Sequence, residues 1–274
     1  MDSSVIVSPR KVSHLGSPCY SPRVAALTSG FSTPPVPPAA KAELTPTGKL
    51  RVGINYGNVL LATKDPATGE FRGVAPDLAR ELGRRLGTPV EWVGYESAGK
   101  MAEAVKAGVW DIAFLGAEPA RAGEIAFSPA YLEIEATYLV PAGSPIRSVA
   151  EVDREGIRIA VADKAAYELY LTRTVQKAQL VRAPSLAASY ELFVTQKLDA
   201  LAGLRTFLLA EVGKIPGALV LDGQFTGVQQ AIATPKPRAT GAQYLREYVA
   251  SVKASGLVAE AIQRHGIRGV SVAP

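Results

Sequence analysis

The chain has 274 residues, too many for one small core, and fits one large domain or two lobes. Hydrophobic residues make up 47% and charged residues 20%, so a core is available and disorder is excluded for most of the chain. The net charge of +5 is uneven: residues 1–50 hold five Lys/Arg against two Asp/Glu, and the remaining 25 against 23 leave a near-neutral body without the basic stripe that nucleic-acid binding needs.

Residues 1–46 are rich in Ser, Pro and Thr and lack helix or strand periodicity, so they are expected to be a disordered leader or linker. Cys19 is the single cysteine, which rules out an intrachain disulfide. His14 and His265 are far apart in sequence, and neither has a second His or Cys nearby, so no metal site or cofactor is expected. No run of 18 apolar residues could span a membrane. Only the short run Val24–Leu27 follows Arg23, which falls short of the apolar centre of a secretory signal.

Order is expected from Gly48. Leu50–Ile54 reads as a strand, and Asp65-Pro66-Ala67-Thr68-Gly69 as a hairpin tip. Asp77–Leu86 reads as a helix stopped by Gly87. Val90–Val93 is a strand, Ser97 caps a helix ending at Gly108, and Asp111–Leu115 is a strand. This β-α-β-α-β order implies a parallel sheet with covering helices. A proline-broken apolar run, Ile125–Tyr131, precedes an extended run from Ile134 to Pro141. Strands and helices alternate again from Ile157 to Val212, strands follow at Leu219–Asp222 and Val228–Thr234, and two helices close the chain at Gly241–Ser255 and Leu257–His265.

Arg121 stands just past the carboxyl end of the Asp111–Leu115 strand. Its planar fork there could hold a small carboxylate through two parallel hydrogen bonds. The alternative is a surface arginine paired with Glu118 or Glu124.

Several motifs in order resemble the family 3 solute-binding proteins of ABC transporters, of the polar amino-acid-binding type. They are Leu50-Arg51-Val52-Gly53-Ile54, Gly73-Val74-Ala75-Pro76-Asp77-Leu78-Ala79, Gly108-Val109-Trp110-Asp111, Arg121 to Ser128 with Tyr131, and Lys197-Leu198-Asp199-Ala200. The resemblance covers Gly48 to Ile267. It implies an α/β, two-lobed, type II periplasmic-binding-protein fold, each lobe a mixed sheet flanked by helices, joined by two hinge strands. Lobe 1 would be discontinuous (47–138 and 229–274) and lobe 2 would span 139–228. It also implies a monomer in the periplasm, a small carboxylate ligand captured by hinge closure, and membrane permease subunits as partners.

The resemblance implies site roles too. Arg121 would grip the ligand carboxylate, with backbone N–H groups from Leu115 and Gly116; a family hydroxyl is replaced at Gly116. The loop bearing Asn55, Tyr56 and Asn58 would supply polar contacts and an aromatic wall, although Tyr56 could equally be a core aromatic. Where the second-lobe helix usually opens with Gly-Thr or Gly-Ser, this chain reads Asp163-Lys164-Ala165-Ala166. Amides near Ala165 could still serve a carboxylate, and Lys164 could add charge. The family's ammonium-binding acid falls at Leu204, followed by Arg205. A buried ammonium without a counter-charge is costly. The expected ligand is therefore a carboxylate lacking a free amine, with a second anionic group facing Arg205 or Lys164; alternatively, Arg205 caps a helix or points to solvent. The competing function is an enzyme resembling a cyclohexadienyl dehydratase, with Glu133 or Glu135 as proton donor or, more simply, both on a solvated strand face.

Overall fold

A computed structural model describes residues 35–274. Of the expected leader, residues 1–34, with His14 and Cys19, lie outside the described residues. The first elements are α1 (Pro38–Leu44), β1 (Leu50–Asn55), β2 (Thr63–Lys64), β3 (Phe71–Arg72), α2 (Val74–Leu86), β4 (Val90–Tyr95), α3 (Ala98–Glu103), β5 (Ile112–Gly116) and β6 (Ile125–Val140). They continue with β7 (Arg158–Ala162), α4 (Ala166–Thr174), β8 (Gln179–Ala183), α5 (Leu186–Thr195), β9 (Ala200–Leu204), α6 (Arg205–Val212) and β10 (Leu219–Val220). The chain closes with β11 (Thr226–Pro235), α7 (Ala239–Ala254), α8 (Leu257–Arg264) and β12 (Val270–Val272). No helix among the described residues is long and apolar enough to cross a membrane.

Local chemistry explains most boundaries. The β2–β3 hairpin tip is an Asx turn, in which Asp65 Oδ1 accepts from the amides of Ala67 and Thr68 at 2.9 and 3.1 Å. Helix α2 starts earlier than Asp77 because Pro76 falls in its first turn, where a missing N–H is harmless. It buries Leu78, Ala79, Leu82 and Leu86 along one face. Gly87 ends it in the left-handed conformation at φ 61°. Ser97 Oγ accepts from the Lys100 amide at 3.3 Å and caps α3.

Helix α1 corrects the expectation of disorder up to residue 46. Pro38 occupies the start of the helix, where its fixed φ suits it, so the proline run is a helix start rather than a breaker. Ala40 and Leu44 are fully buried, one turn apart. Glu43 Oε2 accepts from the Gly241 amide at 2.7 Å and so caps the first turn of α7. A second correction concerns the run broken at Pro129. Residues 125–140 form one strand, and the irregularity is absorbed as register shifts against β11 near Ala231.

The main sheet runs β4-β1-β5-β11-β6-β9-β7-β8. At one end β1 pairs parallel with β4 and β5. At the other β7 pairs parallel with β8 and β9. Between them β6 and β11 pair antiparallel from Ile125↔Pro235 to Ala136↔Thr226. β11 carries β5, and β6 carries β9. The result is two lobes of mixed sheet and helix joined by two long strands, the type II periplasmic-binding-protein arrangement.

The two parallel sets begin with the same staple. Asp111 Oδ2 accepts from the Arg51 amide at 3.0 Å, and Asp199 Oδ2 accepts from the Arg158 amide at 2.8 Å. Each aspartate also bonds the guanidinium of its arginine. Asp111 is fully buried and takes a second arginine, Arg238, at 2.8 Å. Removing a buried partner leaves the opposing charges uncompensated, at a cost of about 3–5 kcal/mol. Asp111→Ala should therefore lower the melting temperature by roughly 10 °C, since about 1 kcal/mol shifts a domain of this size by roughly 2–4 °C. Calorimetry on the full chain checks this; a shift within a degree or two would show that the staple contributes little.

Candidate functional site

The site forms where strands end. In open α/β sheets ligands lie beyond the carboxyl ends of parallel strands, at the point where the order reverses. Here Asn55 ends β1, Gly116 ends β5, Ala162 ends β7 and Leu204 ends β9, and all four line one cleft. Its volume is about 60 Å³. That is less than half of the ~150 Å³ apolar cavity that holds benzene. The starts of α3, α4 and α5 converge on it through Ser97, Ala166 and Ser185.

Of the residues expected from sequence, the structure brings together Asn55, Asn58, Leu115, Gly116, Ala165 and Leu204 along this cleft. Asn55 Oδ1 accepts from the Gly57 amide at 3.1 Å and shapes the loop after β1. Gly57 lies so close to the Glu96 carbonyl that a Cβ there would stand 2.0 Å from its oxygen. The loop presents Asn58, whose side chain is 7% exposed and whose Oδ1 is buried with no hydrogen-bond partner among the described residues. Gly116 faces Ala166 across the cleft; a Cβ at 116 would sit 2.6 Å from that of Ala166. A hydroxyl-bearing residue is excluded there by contact between the two sides.

Arg121 lies at the edge of this cleft, not in its lining. Its side chain is buried, with only 7% exposure. Nη1 donates to the Gly116 carbonyl at 2.7 Å and Nη2 to the Lys164 carbonyl at 2.7 Å, so one guanidinium joins β5 to the β7–α4 loop. The surface pairing with Glu118 or Glu124 does not form: Glu118 bonds Arg173 at 2.7 Å and Glu124 faces Lys106 at 3.7 Å. Burial pulls the Arg121 pKa down to about 10, with the fields of Glu118 and Glu168 opposing the shift. Its remaining N–H donors have no carboxylate partner among the described residues.

The neighbouring helix start is electrostatically distinct. Glu168, 2% exposed in the first turn of α4, accepts from the Lys164 amide at 3.0 Å, Thr172 Oγ1 at 2.7 Å and Arg182 Nε at 2.8 Å. No side chain caps the first amides of α4. Lys164 itself adopts φ 55°, unusual for a residue with a Cβ. That turn aims its carbonyl at Arg121 while its ammonium pairs with Glu103 in solvent. Arg121 and Lys164 line a neighbouring recess of about 280 Å³ with Ala102, Ile125 and Leu169.

Three expected residues lie elsewhere. Tyr56 packs on Phe71 of the hairpin, with ring centroids 6.4 Å apart, and is a wall aromatic outside the cleft lining. The Lys164 ammonium is outside the inner cleft. Arg205 turns away from it: the guanidinium bonds Glu135 and the carbonyls of Leu221 and Gly223. Adjacent residues at a strand end face opposite ways, so Leu204 in the wall sends Arg205 behind it. The two acids considered for proton transfer are also outside the lining, since Glu133 bonds Gln229 and Glu135 bonds Arg205.

Sequence reasoning missed Gln230. It is 6% exposed, sits on β11 and lines the cleft. The signal was the polar pair Gln229-Gln230 inside an apolar strand, between Val228 and Ala231. Glu96 and Asp163 also line the cleft, both with exposed side chains.

The model of the bacterial extracellular solute-binding proteins, family 3, matches residues 50–266. No curated protein matches the sequence. Among similar solved structures is a solute receptor for L-cysteine of Neisseria gonorrhoeae, with TM-score 0.72 and 21% identity, covering 84% of this chain and 95% of that one. An amino acid ABC transporter substrate-binding protein from Streptococcus pneumoniae, bound to L-arginine, has TM-score 0.69 and 18% identity, covering 85% and 99%. The ancestral amino acid-binding protein AncCDT-1, a precursor of cyclohexadienyl dehydratase, has TM-score 0.68 and 22% identity, covering 82% and 98%. With a family model spanning most of its length, the chain belongs to the bacterial extracellular solute-binding proteins, family 3.

Proposed function

We propose that the chain is the periplasmic solute-binding component of an ABC importer, acting as a monomer that delivers a small carboxylate-bearing solute to membrane permease subunits. The lobes would be 47–138 with 229–274, and 139–228. Closure would turn on β6 and β11, which run between them.

The observation that carries the carboxylate is Arg121. A buried cation whose hydrogen bonds go only to neutral carbonyls calls for an anion. The uncapped amides of α4, beside Ala165, add donors at a helix end that favours negative charge. Leu115, Gly116, Asn55, Asn58 and Leu204 would complete the walls. Closure is supported by contacts that bridge the two sides of the cleft. These are Arg121 to the Lys164 carbonyl, Arg173 to Glu118 at 2.7 Å, and the close approach of Gly116 to Ala166. The similar solved structures are named as amino-acid receptors, which favours an amino-acid-like or organic-acid solute over a sugar or metal.

Arg121→Ala should weaken binding of any carboxylate that stabilises the unaltered protein by at least about 30-fold, equivalent to about 2 kcal/mol. Titration calorimetry reads this, with circular dichroism to confirm the fold; unchanged affinity rejects Arg121 as the anchor. Gly116→Val should prop the cleft open. Small-angle scattering of that variant at saturating solute should give a larger radius of gyration than the unaltered protein, and identical curves would argue against closure at this contact.

A further inference from the structure

We infer that Gln230 makes the inner cleft a subsite for a small uncharged group that both donates and accepts hydrogen bonds, a primary carboxamide above all. The inference goes beyond the carboxylate assigned to Arg121 and does not depend on it, because Arg121 is outside this lining. Side chains alternate along β11, and the alternation separates two neighbouring glutamines. Gln229 turns away from the cleft and bonds Glu133. Gln230 shares the cleft face with Val228. Its backbone is held on both sides, opposite Gly116 of β5 and Leu132 of β6. The side chain reaches the point where the two sides of the cleft meet. Nε2 is 3.7 Å from the place a Cβ would take at Gly116, and that Cβ would sit 2.6 Å from the one of Ala166.

The Gln230 amide is nearly buried yet reachable. The residue is 6% exposed and its side chain makes no hydrogen bond among the described residues, but neither Oε1 nor Nε2 is fully sealed off. An amide left unmade in such a place is costly, so it calls for a partner. It offers an acceptor at one end and donors at the other, whichever way the group is turned. A carboxylate would fill only the donor end and an ammonium only the acceptor end; a carboxamide fills both. Among the described residues no lysine, arginine or histidine lines the inner cleft. Its two acids are exposed and already paired, Glu96 with Lys100 at 3.0 Å and Asp163 with Arg182 at 3.8 Å. A charge brought inside would meet no free side-chain counter-charge, whereas a neutral amide needs none. Phe114, Leu204 and Val228 add only apolar wall. The volume of about 60 Å³ limits the occupant to a small group.

The test uses four probes of similar size: propionamide, which donates and accepts; butanone, which only accepts; n-propylammonium, which only donates; and propionate. Calorimetry and saturation-transfer NMR on the full chain should show propionamide binding at least tenfold tighter than butanone. Gln230→Met, which keeps the length of the side chain and removes the amide, should lower propionamide affinity at least tenfold and leave propionate within twofold. Gln230→Glu, which replaces the donor with a charged acceptor, should raise the affinity for n-propylammonium relative to propionamide by at least tenfold. Circular dichroism checks that both variants fold. If propionamide does not bind the unaltered protein, or binds no tighter than butanone, the inference falls whatever the variants do. It falls too if Gln230→Met weakens propionamide and propionate alike. Propionate reports on the carboxylate assignment and propionamide on Gln230, so failure of one is read apart from failure of the other.

Discussion

The antiparallel pairing of β6 with β11 is the constraint on which the rest of the molecule depends. It joins Ile125 to Pro235 at one end and Ala136 to Thr226 at the other. Every other main-sheet strand reaches its place through one of these two. β5, β1 and β4 follow from β11, and β9, β7 and β8 follow from β6. The strand order therefore reverses about this pair, and the carboxyl ends of the parallel strands face a common gap. The candidate cleft is located by topology before any side chain is considered.

Within that gap the charges are treated unequally. Glu168 is buried yet fully supported by an amide, a hydroxyl and an arginine. Arg121 is buried and supported only by carbonyls. A site that compensated both charges internally would be closed to ions. The imbalance leaves a positive centre at the cleft edge, while the inner wall, built from Asn58, Gln230 and Leu204, stays neutral. The candidate site thus pairs a charged edge with an uncharged inner wall.

Much of this was legible in the sequence because it depends on short-range rules. The strand at Leu50, the Ser97 cap, the Gly87 stop and the Asp65 turn are each set by a few neighbouring residues. The alternation of strand and helix was enough to give the α/β class. What was not legible depends on distant partners. The proline-rich stretch before Leu44 hides a helix because its stabilising contact, Glu43 to Gly241, spans most of the chain. Pro129 read as a break in the Ile125–Tyr131 run because the bulge that accommodates it is a property of pairing with β11. The places of Asn58, Gly116 and Leu204 along the cleft followed from the family resemblance, but the packing of Tyr56 on Phe71 and the bond from Arg205 to Glu135 are contacts that no motif announces. Gln230 was passed over because a glutamine in an apolar strand, here beside Gln229, acquires meaning only when the opposite wall is in place.

The paired arginine–aspartate staples have a consequence for how the chain is made. Each ties the first strand of its set to the start of a later one, Arg51 to Asp111 and Arg158 to Asp199. The second set, from β7 to β9, is contiguous and can assemble as soon as Asp199 has been synthesised. The first set is different. Asp111 also needs Arg238, and β5 needs β11, both supplied by the last part of the chain. A nascent polypeptide therefore holds its amino-terminal half incomplete until its carboxyl-terminal segment arrives, although that half is made first.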